Sequence, residues 1–212
     1  MDEHTQWYDS LILEETAVAL KKNGFETIAV DNTDSARKKI LDLIPKGAKT
    51  GLGGSETINQ LGVIDELKRR GNKIIKHQPQ MTLEERLNVW REAFSCDYYL
   101  ASPQAITTNG KMFFIDKYGN RLAAVIIGPK KVILVAGHNK IVEDDNTALW
   151  RIKNVAGVKN AHRLNCKTPC TKTGICSDCD SKDRICNVIS ILAKKPTTTD
   201  YLVILVKEIL GY

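Results

Sequence analysis

No apolar run in the 212 residues approaches the roughly 20 that a bilayer-spanning helix needs, so a helical membrane protein is excluded. The opening residues, Met1-Asp-Glu-His-Thr-Gln6, lack the basic start and apolar stretch of a secretory signal. The expected compartment is therefore the cytosol. There is no internal repeat, low-complexity tract or clear linker, and an apolar fraction of 42 % is enough for a sizeable core. Aromatic residues are sparse, and residues 151–195 contain none. That stretch carries ten Lys or Arg against three Asp, which is +7 of the chain's +6 total, so the remainder is close to neutral. A basic patch without aromatic stacking platforms argues against nucleic acid as the main partner. Its usual role is a solvated surface.

Helix-period segments alternate with short β-type runs in the first half. Residues 4–23 form an amphipathic pattern through Trp7, Tyr8, Leu11, Ile12, Val18, Ala19 and Leu20. Strands are expected at Phe25–Val30, Lys49–Leu52 and Asn72–Lys76. The helices between them start near Asp34, just after Ser55 and at the Thr82/Glu85 capping box. In that last helix Leu83, Leu87, Trp90 and Phe94 are spaced to face a core. Strands are then expected at Asp97–Ala101, Lys111–Asp116, Arg121–Ile127 and Lys131–Ala136, with turns at Asn109-Gly110 and Tyr118-Gly119-Asn120. A helix over Asp145–Ala156 and strands at Val188–Ala193 and Tyr201–Val206 complete the pattern. The expected fold class is α/β, one domain over residues 1–212, with a mixed, partly parallel sheet covered by helices.

Three features carry chemistry. The first is Gly51-Leu-Gly-Gly-Ser-Glu-Thr57, a strand-to-helix loop. Its glycines permit positive φ and close backbone approach, while Ser55, Thr57 and the amides of the first helical turn can hold a carboxylate or phosphate. It matches neither the dinucleotide fingerprint nor the nucleotide P-loop. The bland alternative is a tight turn capped by Ser55. Glu56 either moves protons or simply suits a helix N-terminus. The second feature is a set of polar segments at strand ends, 102–110, 116–121 and 137–141. There Arg121 and Lys140 can neutralise an anion and Asn109, Asn120 and Asn139 can hydrogen-bond one, although Asn-Gly pairs are also ordinary turns. Glu56, Asp116 and Lys140 are the acid–base candidates. His138 reads as a surface or partner-bonded histidine.

The third feature is cysteine. Cys96 stands alone in what reads as core. Cys166, Cys170, Cys176, Cys179 and Cys186 lie within 21 residues, in a loop at about 165–186. Clustered cysteines in a cytosolic chain point to metal before disulfides. Four thiolates suffice for zinc or a cubane iron–sulfur cluster, and the spacing matches no standard ferredoxin run or zinc ribbon. Cys170, Cys176, Cys179 and Cys186 form the tighter set, with Cys166 the first to leave out. Lys167, Lys172, Lys182 and Arg184 favour thiolates.

The ordered motifs resemble the LUD (lactate utilization) domain family. The resemblance rests on 51–57 followed by Leu61-Gly62, Ala105-Ile-Thr-Thr-Asn-Gly110, Gly119-Asn-Arg121, Ile127-Gly-Pro-Lys-Lys-Val132, Gly137-His-Asn-Lys-Ile141, Asn160-Ala-His-Arg163 and Thr168-Pro-Cys170. It implies a fold like that of ribose-5-phosphate isomerase and the CoA transferases, with Gly53, Gly54, Ser55 and Thr57 in an anion site. It also implies a link to oxidation of lactate to pyruvate alongside iron–sulfur partner subunits. The leading expectation is a subunit or accessory protein of organic-acid oxidation. Such a protein binds a small anion at the glycine loop and an iron–sulfur cluster, or alternatively zinc, at the cysteines, and can pass electrons through the cluster. The alternative is a stand-alone enzyme acting on a phosphorylated or CoA-linked small molecule, with a structural zinc. The sequence leaves homo-oligomer formation open.

Overall fold

The computed structural model describes residues 2–212. Six parallel strands form the central sheet in the order β1 (Glu26–Val30), β10 (Asp200–Val206), β7 (Lys131–Gly137), β4 (Tyr98–Ala101), β2 (Lys49–Leu52), β3 (Lys73–Ile75). Helices cover both faces, and the strand residues divide between them with period two. Val132, Leu134, Ala136, Tyr201, Val203 and Leu205 join one apolar cluster, together with α1 (Glu3–Lys22), α5 (Leu83–Ala93) and α6 (Asn120–Ile126). Ile133, Val135, Leu202, Ile204 and Val206 join the other, with α2 (Thr33–Leu43), α3 (Glu56–Gln60) and α4 (Val63–Arg69).

The rest of the β-structure forms a separate four-stranded sheet rather than part of one mixed sheet. Its order is β8 (Ile141–Val142), β5 (Ala105–Thr107), β6 (Met112–Asp116), β9 (Val188–Leu192), antiparallel except for β5 with β8. One face, through Phe113 and Ile115, packs on Ala148 of α7 (Asp145–Arg151) and on Ile152 just after it. The other gives Ile106, Met112, Phe114 and Leu192 to the cluster beneath α1. After α7 the chain continues through a π-helical turn, Ile152–Gly157, and α8, Val158–Arg163. A further single turn, α9 (Cys170–Thr173), lies in the cysteine segment.

Several elements differ from the sequence-based expectation. Within the expected strand Arg121–Ile127, residues 121–126 are helical and only Ile127 is extended. Leu122, Ala124 and Val125 are buried on one side of α6, and a short apolar run carries no decisive period of its own. The helix after Ser55 is two helices, broken where Gly62 takes φ +65°. On α1 the buried residues are Leu13, Thr16, Ala17 and Leu20, while Trp7, Tyr8, Leu11 and Val18 are exposed. On α5 only Ala93 is buried, and Leu83 and Leu87 face solvent. The start of α2 is capped by Asn32, whose side chain accepts from the Ser35 amide; Asp34 pairs with Arg37 instead.

The Asn109-Gly110 turn joins β5 to β6 and docks on the end of α1. Asn23 Nδ2 donates to the carbonyls of Asn109 and Gly110, at 3.0 Å each. Gly110 has φ +81°, and a Cβ there would lie 2.7–2.9 Å from the backbone of Ala19 and Leu20. Gly110→Ala is expected to lower unfolding stability by about 2 kcal/mol or more, through strain and overpacking together. Denaturant unfolding checks this, and ligand affinity should not change because the turn lies outside the cleft described next.

Candidate functional site

Adjacent parallel strands β2, β4 and β7 end side by side, and the chain leaving each supplies one part of a cleft. That is where ligands meet open α/β sheets. The chain leaving β2 becomes Gly53–Thr57, that leaving β4 begins with Ser102, and that leaving β7 makes a 3-10 turn, His138–Lys140. The cleft has a volume of about 390 Å³.

The glycine loop works differently from its apparent design. None of Gly51, Gly53 and Gly54 has positive φ. Gly51 is needed for space, since a Cβ would come within 2.8 Å of the Tyr99 ring and 2.9 Å of Cys96 Sγ. Gly53 lies against the Arg121 side chain, and Gly54 opens toward Arg163. Ser55 caps α3 by accepting from the Ile58 amide at 3.3 Å. With only five residues, α3 has little dipole to attract an anion.

The positive charge comes instead from Lys140. Its side chain is only 2 % exposed, yet it lines the cleft. The ammonium donates to Thr57 Oγ1 at 2.7 Å and to Ser102 Oγ at 2.8 Å. An ammonium has three donors, so one remains. Burial, reinforced by repulsion from Arg151 and Arg121, holds the Lys140 amine well below the ordinary lysine range.

The two arginines have structural ties. Arg121 Nε donates to Asp116 Oδ1 at 3.2 Å, and its terminal nitrogens donate to the carbonyls of Ser102 and Ile115. It is a strut between the two sheets rather than a free clamp. Asp116 is occupied too, because its other oxygen accepts from the Leu122 amide at 3.2 Å. Arg151 donates to the carbonyls of Asn139 and Gln104, which fixes the 138–140 turn against β5. Burial lowers its pKa to about 10, still far above neutrality, so it remains charged. Among the described residues, Lys140 and Arg151 have no carboxylate partner, and only Arg121 of these three cations is ion-paired. A buried excess of positive charge is therefore focused on the cleft floor.

Glu56, Asp116 and Lys140, the three acid–base candidates, all line this cleft, as do Gly53, Gly54, Ser55, Thr57, Asn120 and Arg121. Asn109 and Asn139 do not. Asn109 belongs to the turn on α1. Asn139 latches the chain after β10, its Oδ1 accepting from the Leu210 amide at 3.1 Å and its Nδ2 donating to the Gly211 carbonyl at 3.5 Å. His138 points the other way, its Nδ1 3.2 Å from Asp9 on α1.

The opposite wall escaped sequence reasoning. Trp90 Nε1 donates to His77 Nδ1 at 3.1 Å, and the Trp90 ring lies 5.2 Å from that of Tyr118. Burial, then Arg86 and Lys76, lower the His77 pKa, which favours the neutral acceptor form this bond requires. Arg163 lines the cleft beside Gly54, oriented by Asn160 Oδ1 at 2.7 Å. Tyr212 completes the rim. Of these, Arg163 and Tyr118 lie in segments the sequence had singled out, 160–163 and 116–121. Trp90 has helical core spacing, and nothing in its periodicity distinguishes a cleft wall from a core.

The family model for the LUD domain matches residues 13–206. The chain belongs to the LUD domain family. That family is associated with lactate utilization. Among solved structures, a DUF162 family protein from Deinococcus radiodurans aligns over 93 % of this chain and 97 % of its own, at 11 % identity and a TM-score of 0.53. At that identity the likeness supports the LUD fold alone. The eIF2B beta structure from Chaetomium thermophilum covers 54 % of this chain and 44 % of its own at 11 % identity, with a TM-score of 0.37, too loose to bear on this LUD chain. No curated protein matches the sequence. Among the described residues, no helix is long and apolar enough to cross a membrane.

Proposed function

We propose that this LUD domain binds a small organic-acid anion, with its carboxylate against Lys140 Nζ, as a subunit or accessory protein of lactate-type organic-acid oxidation working with iron–sulfur partner subunits. The observation that carries the reading is Lys140 itself, a buried cation whose bonded partners are two hydroxyls and which opens on a cleft. Burying an ammonium without an acid is unfavourable, and a site that tolerates it is suited to an anion supplied from outside. Arg163 at the rim and the fixed charge of Arg151 behind the floor add to the attraction.

Glu56 is the acid–base candidate in the cleft with the fewest commitments, since Asp116 is held by Arg121 and the Leu122 amide. Proton transfer, if the bound acid reacts here, is assigned to Glu56 or to Lys140 in its neutral form. Calorimetric titration with L-lactate, pyruvate and longer 2-hydroxy acids tests the reading. Saturable binding that weakens with added competing carboxylate is expected. Heat no greater than that of matched chloride controls for every acid would contradict it.

The cleft volume and the Trp90–Tyr118 wall favour a second reading, in which the ligand is larger than a three-carbon acid and carries phosphate or a CoA group. The chain would then be an enzyme in its own right. Including phosphosugars and acyl-CoA esters in the same titrations separates the two.

A further inference from the structure

We infer that Cys170, Cys176, Cys179 and Cys186 are the ligands of one thiolate-bound metal centre, that Cys166 is not among them, and that this centre forms the back wall of the anion cleft. The inference is independent of which anion the cleft takes.

The five clustered cysteines separate in space. Cys170, Cys176, Cys179 and Cys186 ring one small, almost wholly apolar cavity of about 20 Å³ behind α8. Cys166 lines the large cleft instead. Cys186, Ile185 and Gly157 border both spaces, so the partition is one residue thick. Cys176 and Cys179 both line this cavity. Asp178 between them has φ +50°, a left-handed conformation that aspartate tolerates, and it is held by Arg184 at 2.6 Å and Lys153 at 3.3 Å. Arg184 also donates to the Cys179 carbonyl at 2.6 Å, and the Cys176 amide donates to Asn154 in the π-helical turn. Two cations thus border the cavity, where they offset the charge of thiolates.

The fold of this segment needs an explanation beyond packing. Between α8 and β9, residues 164–187 contain one helical turn and bury only Thr168 and Ile185. Ile175 is 68 % exposed. So long a stretch with so little core is held by something other than apolar burial, and metal ligation supplies about 10 kcal/mol or more in small thiolate modules. Among the described residues, no three potential ligands stand within reach of one ion. The four cysteines line the cavity without a set of ligands poised for one ion, so ligation requires the loop to rearrange. All six cysteines are unpaired. Soft thiolates select zinc or iron–sulfur clusters, and a redox-active cluster here would sit one side chain, Cys186, from the anion.

The test is metal and acid-labile sulfide analysis of the full chain purified without oxygen, followed by alkylation and mass spectrometry with and without the metal. Iron with sulfide and a visible absorption bleached by dithionite supports the proposal as a cluster. Stoichiometric zinc without colour supports it as a structural pin. In either case Cys170, Cys176, Cys179 and Cys186 become protected together while Cys166 stays reactive. Cys176→Ser and Cys179→Ser lose the bound metal, and Cys166→Ser keeps it. Should the serine variants not fold, the protection pattern of the unaltered chain decides. Two results overturn the inference: no metal retained after anaerobic loading with ferrous iron and sulfide or with zinc, or protection of Cys166 equal to that of the other four.

Discussion

Lys140→Met is expected to raise the stability of the ligand-free protein and to abolish anion binding. The ammonium is 2 % exposed and has no carboxylate partner, so folding must desolvate a charge or strip its proton. Replacing it with an apolar chain of similar length removes that penalty. Thr57 and Ser102 lose a donor but, as hydroxyls, can turn toward each other or toward cleft water. The net gain is estimated at about 1–3 kcal/mol, less than the several kcal/mol that desolvating an ion costs, because the two hydroxyls lose a bond. The pH dependence follows from the same shift. The folded-state pKa lies below that of the unfolded chain, so between the two values the unfolded state binds more protons and stability rises with pH. That slope should be absent in Lys140→Met. Thermal denaturation of both proteins across the neutral-to-alkaline range checks sign and slope. A variant less stable than its parent, still binding carboxylates, would remove Lys140 from the site.

The second large effect is expected at Gly137. A Cβ there would lie 2.6 Å from the Leu210 amide nitrogen and 2.6 Å from Asn139 Oδ1, and nearer still to the Glu208 carbonyl. Residues 207–212 cannot then keep their course over β7. They currently hold the cleft rim, with Leu210 in the core, Gly211 donating to Gln60 Oε1 at 2.7 Å, and Tyr212 lining the cleft. Gly137→Ala is expected to cost about 3 kcal/mol, at the upper end of overpacking effects. It should also weaken anion binding, because Asn139 positions both the tail and the 138–140 turn that carries Lys140. Hydrogen exchange should show 207–212 losing protection before the central strands do. Gly137→Ala with unchanged affinity would mean the tail has no part in the site.

These two positions show what the sequence revealed. Gly137 and Lys140 lie in a polar segment, 137–141, at the end of an expected strand, and the continuous apolar runs of β7 and β10 fit strands buried on both faces. The anion site was visible as a gathering of segments, but its working parts were not. The glycine loop suggested a helix-dipole cradle, whereas the charge comes from a lysine more than eighty residues away. Local sequence cannot report that pairing, because it depends on β2, β4 and β7 lying side by side. The cleft's aromatic wall was hidden for a related reason. Trp90 has core spacing on a helix that buries little of its apolar stripe. Asn109 shows the reverse, a polar residue at a strand end that lies outside the cleft: its side chain accepts from Thr107 Oγ1 within the turn, and its backbone carbonyl accepts from Asn23 at the end of α1. The run 121–127 was misread because seven mostly apolar residues fit either period.

The measurement that tests the central claim most directly is the proton balance of anion binding. Titrating the protein with pyruvate or L-lactate by calorimetry, in two buffers of different ionisation enthalpy, counts protons taken up with the anion. If Lys140 is the anchor, the bound carboxylate favours its ammonium, so any Lys140 that has lost its proton regains one on binding. Uptake should then rise with pH above the ligand-free pKa, affinity should fall about tenfold per pH unit there, and Lys140→Met should show neither. Binding with no proton uptake at any pH, or uptake that persists in Lys140→Met, would contradict the account.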